Sequence, residues 1–297
     1  MRAPGVESPK GERRVVGKLP ALAAALVAAA ALAGCTSLGG PLIGERNDDT
    51  LYARSRSNLS SLSEVIEKHP NDAQAYNKRG SAYGEAGMNE KALADFNKAI
   101  SLDPNYAQAY TNRGLVYRRT NQLDLAVADF DRTLSIDSSY APAYLGRGVV
   151  YSLQGRGMQA LADFNKAIAL RPDNAEAYYS RGLLYQSQQQ HQLAIADFTA
   201  AVGLASQRAQ LYVARALSYL AIGDDRAAAG DLDHAVQLNP ADPKAWASRG
   251  LAYERLGQKD KAAGSYARAL SIDAKYAPAV AGFARVGGRV GQAYQTF

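Results

Sequence analysis

From Ala73 onward, apolar and small residues recur at intervals of three and four, in stretches of helical length separated by short polar breaks. That spacing predicts amphipathic helices, each with one buried stripe. The segment "AQAYNKRGSAYGEAGMNEKALADFNKAISLDPNY" is followed at once by "AQAYTNRGLVYRRTNQLDLAVADFDRTLSIDSSY", and the frame continues from Ala141, Ala175, Ala209 and Pro243. Six in-register units of 34 residues therefore fill positions 73–276. Most units break in the middle, near Gly87, Asn121, Gly155, Gly223 and Gly257, while Pro104, Pro172 and Pro240 stop the second half in three of them. Each unit reads as a hairpin of two helices.

A fixed period of this size signals a solenoid, in which neither helix of a hairpin buries its stripe alone and stability comes from stacking neighbours. Gly80, Gly114, Gly148, Gly182 and Gly250 are expected to face Ala92, Ala126, Ala160, Ala194 and Ala262, so that the paired backbones approach closely. Tyr and Phe then fill the space between hairpins. Of the 18 Tyr in the chain, eleven stand at the fourth or eleventh position of a unit, with Trp246 substituting once, so the Tyr excess reads mainly as packing. The fifth unit departs, with Ala216 for Gly and Leu232 for the aromatic. The fourth lacks both the mid-unit Gly and the terminal Pro, and the junction between these two units is expected to be the softest point of the stack.

The third unit supplies Tyr144, Gly148, Tyr151, Ala160, Phe164 and Ala167 and ends at Pro172. In this it resembles the tetratricopeptide repeat family, whose pattern has an aromatic at position four, Gly at eight, Tyr at eleven, Ala at twenty and twenty-seven and an aromatic at twenty-four. The resemblance implies an all-α fold, a right-handed α-solenoid of six hairpins with terminal helices. It also implies that positions two, five, nine, twelve and thirteen of each first helix line a concave groove that takes polypeptide ligands. Here those positions include Leu115, Leu145, Val149, Leu153, Tyr179, Leu183, Val213, Leu217 and Leu220, an apolar stripe edged by Arg118 and Arg119 on one side and by Glu254 and Arg255 on the other. Apolar residues in a solvated groove point to a partner. The Lys and Asn that chaperone-binding members use to clamp a carboxylate are missing, since the first unit has Asn77 and Ser81.

Position seven, usually Leu in that family, is Arg in all six units: Arg79, Arg113, Arg147, Arg181, Arg215 and Arg249. Position twenty-three is Asp in five: Asp95, Asp129, Asp163, Asp197 and Asp231. A packed Arg needs an acidic partner. Each Asp is expected to meet the Arg of the next hairpin, as Asp231 with Arg249, with pairing inside one hairpin as the alternative.

The two ends differ from the repeats. Residues 19–33 are apolar and uncharged, preceded by Arg13, Arg14 and Lys18 and followed by Gly34 and Cys35. A basic flank and a short apolar core read as a secretory signal, and Leu32 to Cys35 resembles the lipobox of bacterial lipoproteins. That resemblance implies cleavage before Cys35, acylation of its sulfur and retention at a lipid bilayer. Thr36, in place of the Asp common in inner-membrane lipoproteins, favours the outer membrane facing the periplasm. Residues 1–34 are thus expected to be a signal peptide, 35–50 a tether, 51–72 an N-terminal helix or degraded repeat, and 277–297 a capping segment and tail.

Composition narrows the function. The net charge is +6, of which residues 1–34 carry +3 (five basic, two acidic), and no long Lys/Arg run marks a nucleic-acid surface. His69, His191 and His234 are far apart in the lattice, and one Cys excludes a disulfide inside the chain. No metal or catalytic constellation, cofactor loop or small-molecule substrate site is expected. The reading is a lipid-anchored, non-enzymatic scaffold that binds envelope proteins. The alternative is an assembly factor for pilus, secretin or outer-membrane proteins, and a cell-wall hydrolase fits least.

Overall fold

The computed structural model describes residues 59–288, which hold fourteen α-helices and no strand. Helix α1 covers residues 59–68. Six hairpins follow: α2 (Ala73–Glu85) with α3 (Asn89–Leu102), α4 (Ala107–Arg119) with α5 (Leu123–Ile136), and α6 (Ala141–Leu153) with α7 (Gly157–Leu170). Next come α8 (Ala175–Ser187) with α9 (His191–Leu204), α10 (Ala209–Ile222) with α11 (Asp225–Leu238), and α12 (Pro243–Arg255) with α13 (Lys259–Ile272). Helix α14 (Ala277–Arg285) closes the series. The turn inside every hairpin uses a left-handed residue at position fifteen, from Gly87 (φ 73°) to Gly257 (φ 74°). Asn121 (φ 59°) and Gln189 (φ 60°) hold the same conformation at the strain that an L side chain incurs there. Asp72, Asn174 and Asp242 cap the first helices of their hairpins through side-chain oxygens.

The helices of a hairpin meet where position eight lies under the ring at position twenty-four. A Cβ on Gly80, Gly148, Gly182 or Gly250 would stand 2.6–2.8 Å from an atom of Phe96, Phe164, Phe198 or Tyr266, nearer than any carbon tolerates. The expected Ala partners contribute mainly backbone, with the Ala92 carbonyl 3.2 Å from the Gly80 position. Each ring also serves the next hairpin: Phe130 is flanked by Gly114 of its own unit and Gly146 of the following one. Ala92, Phe96 and Ala99 and their equivalents through the stack are almost fully buried, and each Phe contributes about 1.5–3 kcal/mol by leaving water. The fifth hairpin solves the same problem differently, as Ala216 and Leu232 are both 0% exposed. The larger residue at eight is matched by a smaller one at twenty-four.

The arginine ladder runs within hairpins, which corrects the expectation that it joins successive ones. Arg79, Arg113, Arg147, Arg181 and Arg215 each donate from Nε to the Asp sixteen residues ahead at 2.8 Å, with a second bond of 2.6–2.8 Å from Nη2. Asp231 therefore pairs with Arg215, not with Arg249. The remaining nitrogen of each Arg reaches sixteen residues back to the preceding second helix: to Ser63, Asn97, Asp131, Asn165 and Thr199 in turn. Arg249, which lacks an Asp ahead, reverses the arrangement and bonds Asp233 behind it and the Ser265 hydroxyl in front. Each guanidinium also lies 4.9–5.9 Å from the ring centroids of the aromatics three residues before it and, in all but Arg215, four residues after it. The Tyr at positions four and eleven are thus cation–π walls as well as packing. Burial pushes the Asp129 carboxyl up even with Arg113 beside it, so desolvation offsets much of the pair's attraction.

The junction between the fourth and fifth hairpins is not loosened. Leu211 is fully buried there, Gln186 donates to the Ala214 carbonyl and the Ser218 hydroxyl, and Arg208 reaches back to Glu176 at 2.7 Å. These polar ties stand in for the missing Pro and Gly. A double-mutant cycle checks the ladder's direction. Asp163→Asn with Arg147→Leu should show a coupling of at least about 1 kcal/mol, and Asp163→Asn with Arg181→Leu should be additive.

Candidate functional site

The first helices carry the predicted stripe, and its residues divide into accessible and buried ones. Leu115 (37% exposed) and Leu153 (41%) are open to solvent, while Leu145, Tyr179, Leu183 and Leu217 are half-buried. Val149, Val213 and Leu220 are buried, which corrects their reading as ligand-facing residues. Val149 packs with Tyr151, Phe164 and Leu184, and Val213 and Leu220 belong to the core built around Leu232 and Tyr266. Position nine continues the accessible stripe into the sixth hairpin through Leu251, half-buried against that core. Leu251 was not among the predicted groove residues, although the repeat frame puts it at position nine of the sixth unit.

The charged edges are engaged within the chain. Arg119 donates to the Asn89 side chain, and Arg255 donates to the Leu220 carbonyl at 2.7 Å and to Asp225. Burial lowers the affinity of Arg118 for its proton, opposed by Glu176 nearby. Glu254 accepts two bonds from Arg285 of α14, at 2.7 and 2.9 Å, and one from the Tyr266 hydroxyl at 2.6 Å. It is a clasp on the terminal helix more than an open ligand contact. At the other end Asn112 donates to both Asn77 and Ser81, and Asn77 donates to the Tyr106 hydroxyl. A cavity of about 360 Å³ adjoins this polar network, lined by Ser61, Leu62, Lys78, Ser81, Ala82 and Glu85.

Among the described residues no group of His, Cys, Asp and Glu is placed to hold a metal ion, and no helix is long and apolar enough to cross a membrane. Cys35 and the expected signal, tether and tail lie outside the described residues.

These features define a class, an α-solenoid whose stacked first helices present a row of accessible apolar side chains. Within that class, the chain carries tetratricopeptide repeats. Family models for this repeat match residues 62–94, 85–121, 107–140, 154–189, 175–208 and 213–277. No curated protein sequence matches the chain significantly. The anaphase-promoting-complex hetero-tetramer Cut9–Hcn1 is similar in fold at 17% identity and a TM-score of 0.68, covering 78% of this chain and 46% of that one. This chain thus spans less than half of that neighbour. PilF of Pseudomonas aeruginosa is 19% identical with a TM-score of 0.66, covering 72% of this chain and 97% of its own. YrrB, described as a tetratricopeptide repeat protein with an unusual peptide-binding site, is 25% identical with a TM-score of 0.54, over 63% of this chain and 96% of its own.

The clasp on α14 makes a pH prediction. Burial alone would raise the Glu254 carboxyl, but the bonds from Arg285 and Tyr266 outweigh it and hold its pKa below the usual 4.5. The stabilisation is therefore complete above about pH 4.5 and lost as the pH falls below that value. Amide-exchange protection of α14 should drop across this range in the native chain, and Glu254→Gln should flatten the drop.

Proposed function

We propose that the chain is a non-enzymatic scaffold that binds polypeptide segments along its first-helix face. The observation that carries this reading is the run of accessible Leu and Tyr side chains on consecutive first helices, from Leu115 through Leu145, Leu153, Tyr179, Leu183 and Leu217 to Leu251. Water leaves such a stripe favourably when an apolar ligand covers it, and an amphipathic helix or extended segment has the matching length and periodicity. The likeness to YrrB, whose description names a peptide-binding site, supports the same use. Covering the exposed part of each of these Leu side chains contributes on the order of 1 kcal/mol, so binding engages several of them at once to offset the cost of association.

The lipobox-like Leu32–Cys35 supports a second element of the proposal, that the scaffold is held at a bacterial envelope membrane through an acylated Cys35. Each buried acyl CH₂ adds about 0.8 kcal/mol, so two or more chains give stable anchorage. Anchoring raises the effective concentration of any bound partner near others on the same surface.

Two measurements test these points separately. In a pull-down from solubilised envelopes, Leu145→Glu with Leu183→Glu should reduce a specific co-purifying band at least about tenfold while helical circular dichroism is unchanged. An unchanged set of bands would move the binding face elsewhere. Cys35→Ser should shift the chain from the membrane pellet to the soluble fraction, and continued sedimentation with the membrane would reject the lipid anchor.

A further inference from the structure

The described stack ends in two half-hairpins. Helix α1 sits on α2 as a second helix sits on the first helix of the following hairpin, since Ser63 occupies the position that accepts from Arg79 sixteen residues on. Helix α14 sits on α13 as a first helix does. A Cβ on Gly282 would run into the Tyr266 ring, as one on Gly146 would into Phe130. Among the described residues α1 thus lacks its first helix and α14 its second. The faces that inner hairpins hide are correspondingly open. Val65, at position twenty-seven of α1, is 40% exposed and Leu62, at position twenty-four, is half-buried. On α14, Ala284, at position eight, is exposed, and Val280, at position four, is 37% exposed where most inner equivalents are half-buried. The equivalents in the fifth hairpin, Ala216, Leu232 and Ala235, are fully buried.

We propose that α14 of one molecule docks on α1 of a second copy, so that the two halves complete a hairpin across the joint. The residues at the contact obey the rule of the inner hairpins. Five of those pair Gly at eight with an aromatic ring at twenty-four, and the fifth pairs Ala216 with Leu232. The joint would pair Ala284 with Leu62, the combination that the fifth hairpin already packs without exposed surface. At positions seven and twenty-three, where five inner hairpins pair an Arg with an Asp, the joint has Phe283, already buried within its own chain, and Ser61, so it adds no unpaired charge at these positions. The chain's own residues before α1 fit that seat poorly, because the repeat frame puts Arg46 at position eight, where inner hairpins accept only Gly or Ala. Gly287 (φ 87°) turns the backbone four residues earlier than the inner hairpins do, so the joint uses the first turns of α14, where Val280 and Ala284 lie. Two different surfaces meet, so the contact is heterologous and each added copy offers the same free ends again.

Sedimentation velocity on the full-length chain from about 1 to about 100 µM tests this, a range that brackets a joint smaller than a standard interface. The sedimentation coefficient should rise steadily past that of a dimer. Ala284→Glu and Val65→Glu, both at exposed sites, should each raise the concentration needed for association at least about a hundredfold by placing a charge in the joint. Mixing the two variants should restore a dimer and stop there, since each retains one intact end. A wild-type chain that stays monomeric overturns the proposal, as does one that stops at a dimer. So does association that survives either substitution, or a mixture that remains monomeric.

Discussion

The close approach between position eight of a first helix and position twenty-four of its partner governs the rest of the fold. A ring lying directly on a backbone leaves no space for a Cβ, so the two positions are not independent choices. Where one is Gly the other is aromatic, and where one is Ala the other is Leu. That single contact fixes the depth at which two helices interlock. It also places the same ring against the next hairpin, as Phe130 stands between Gly114 and Gly146. The stack propagates because each brick is shaped by its own contact and leaves the same shape for its neighbour.

On this steric frame the arginine ladder adds direction. A guanidinium has donors enough to hold an Asp of its own hairpin by two bonds and still reach the preceding one. One residue type at one position thus ties the hairpin internally and to its neighbour. Burial raises the Asp129 carboxyl while the bond to Asp129 raises Arg113, so desolvation opposes the pair's attraction, and a shifted stack would strand several charges. Arg249 shows the requirement from the other side. With Ser265 in place of the Asp ahead, the acid moves to Asp233 behind it, and Arg249 keeps a carboxylate.

The repeat period, the hairpin boundaries and the buried Gly, Ala and aromatic positions were legible in the sequence because they answer to local periodicity. What was not legible depended on geometry between elements. Asp231 stands near both Arg215 and Arg249 in the repeat lattice, and only the packed helices decide between them. Val149, Val213 and Leu220 occupy positions of the same face as Leu145 and Leu183, but Val149 packs with Tyr151 and Leu184, and Val213 and Leu220 join the core around Leu232 and Tyr266. The fourth unit lost its Gly and Pro punctuation, which reads as weakness in sequence, yet Gln186 and Arg208 supply polar ties that no consensus anticipates. The polar edges were visible as charges, but their partners, Asp225 for Arg255 and Arg285 for Glu254, lie about thirty residues away.

The ends of a solenoid are where its propagating shape must be either hidden or used. The Glu254–Arg285 clasp holds α14 onto the stack from one side, yet leaves Val280 and Ala284 outward, so the clasp secures the last helix without covering it. With nine residues against thirteen or fourteen in the inner first helices, α14 offers less surface than an internal hairpin does. A joint through it would be weaker than the contacts inside the chain and sensitive to concentration. If Cys35 holds many copies at one surface, their local concentration rises without any new contact. A weak joint of this kind would then stay open in dilute solution and close where the copies are crowded together.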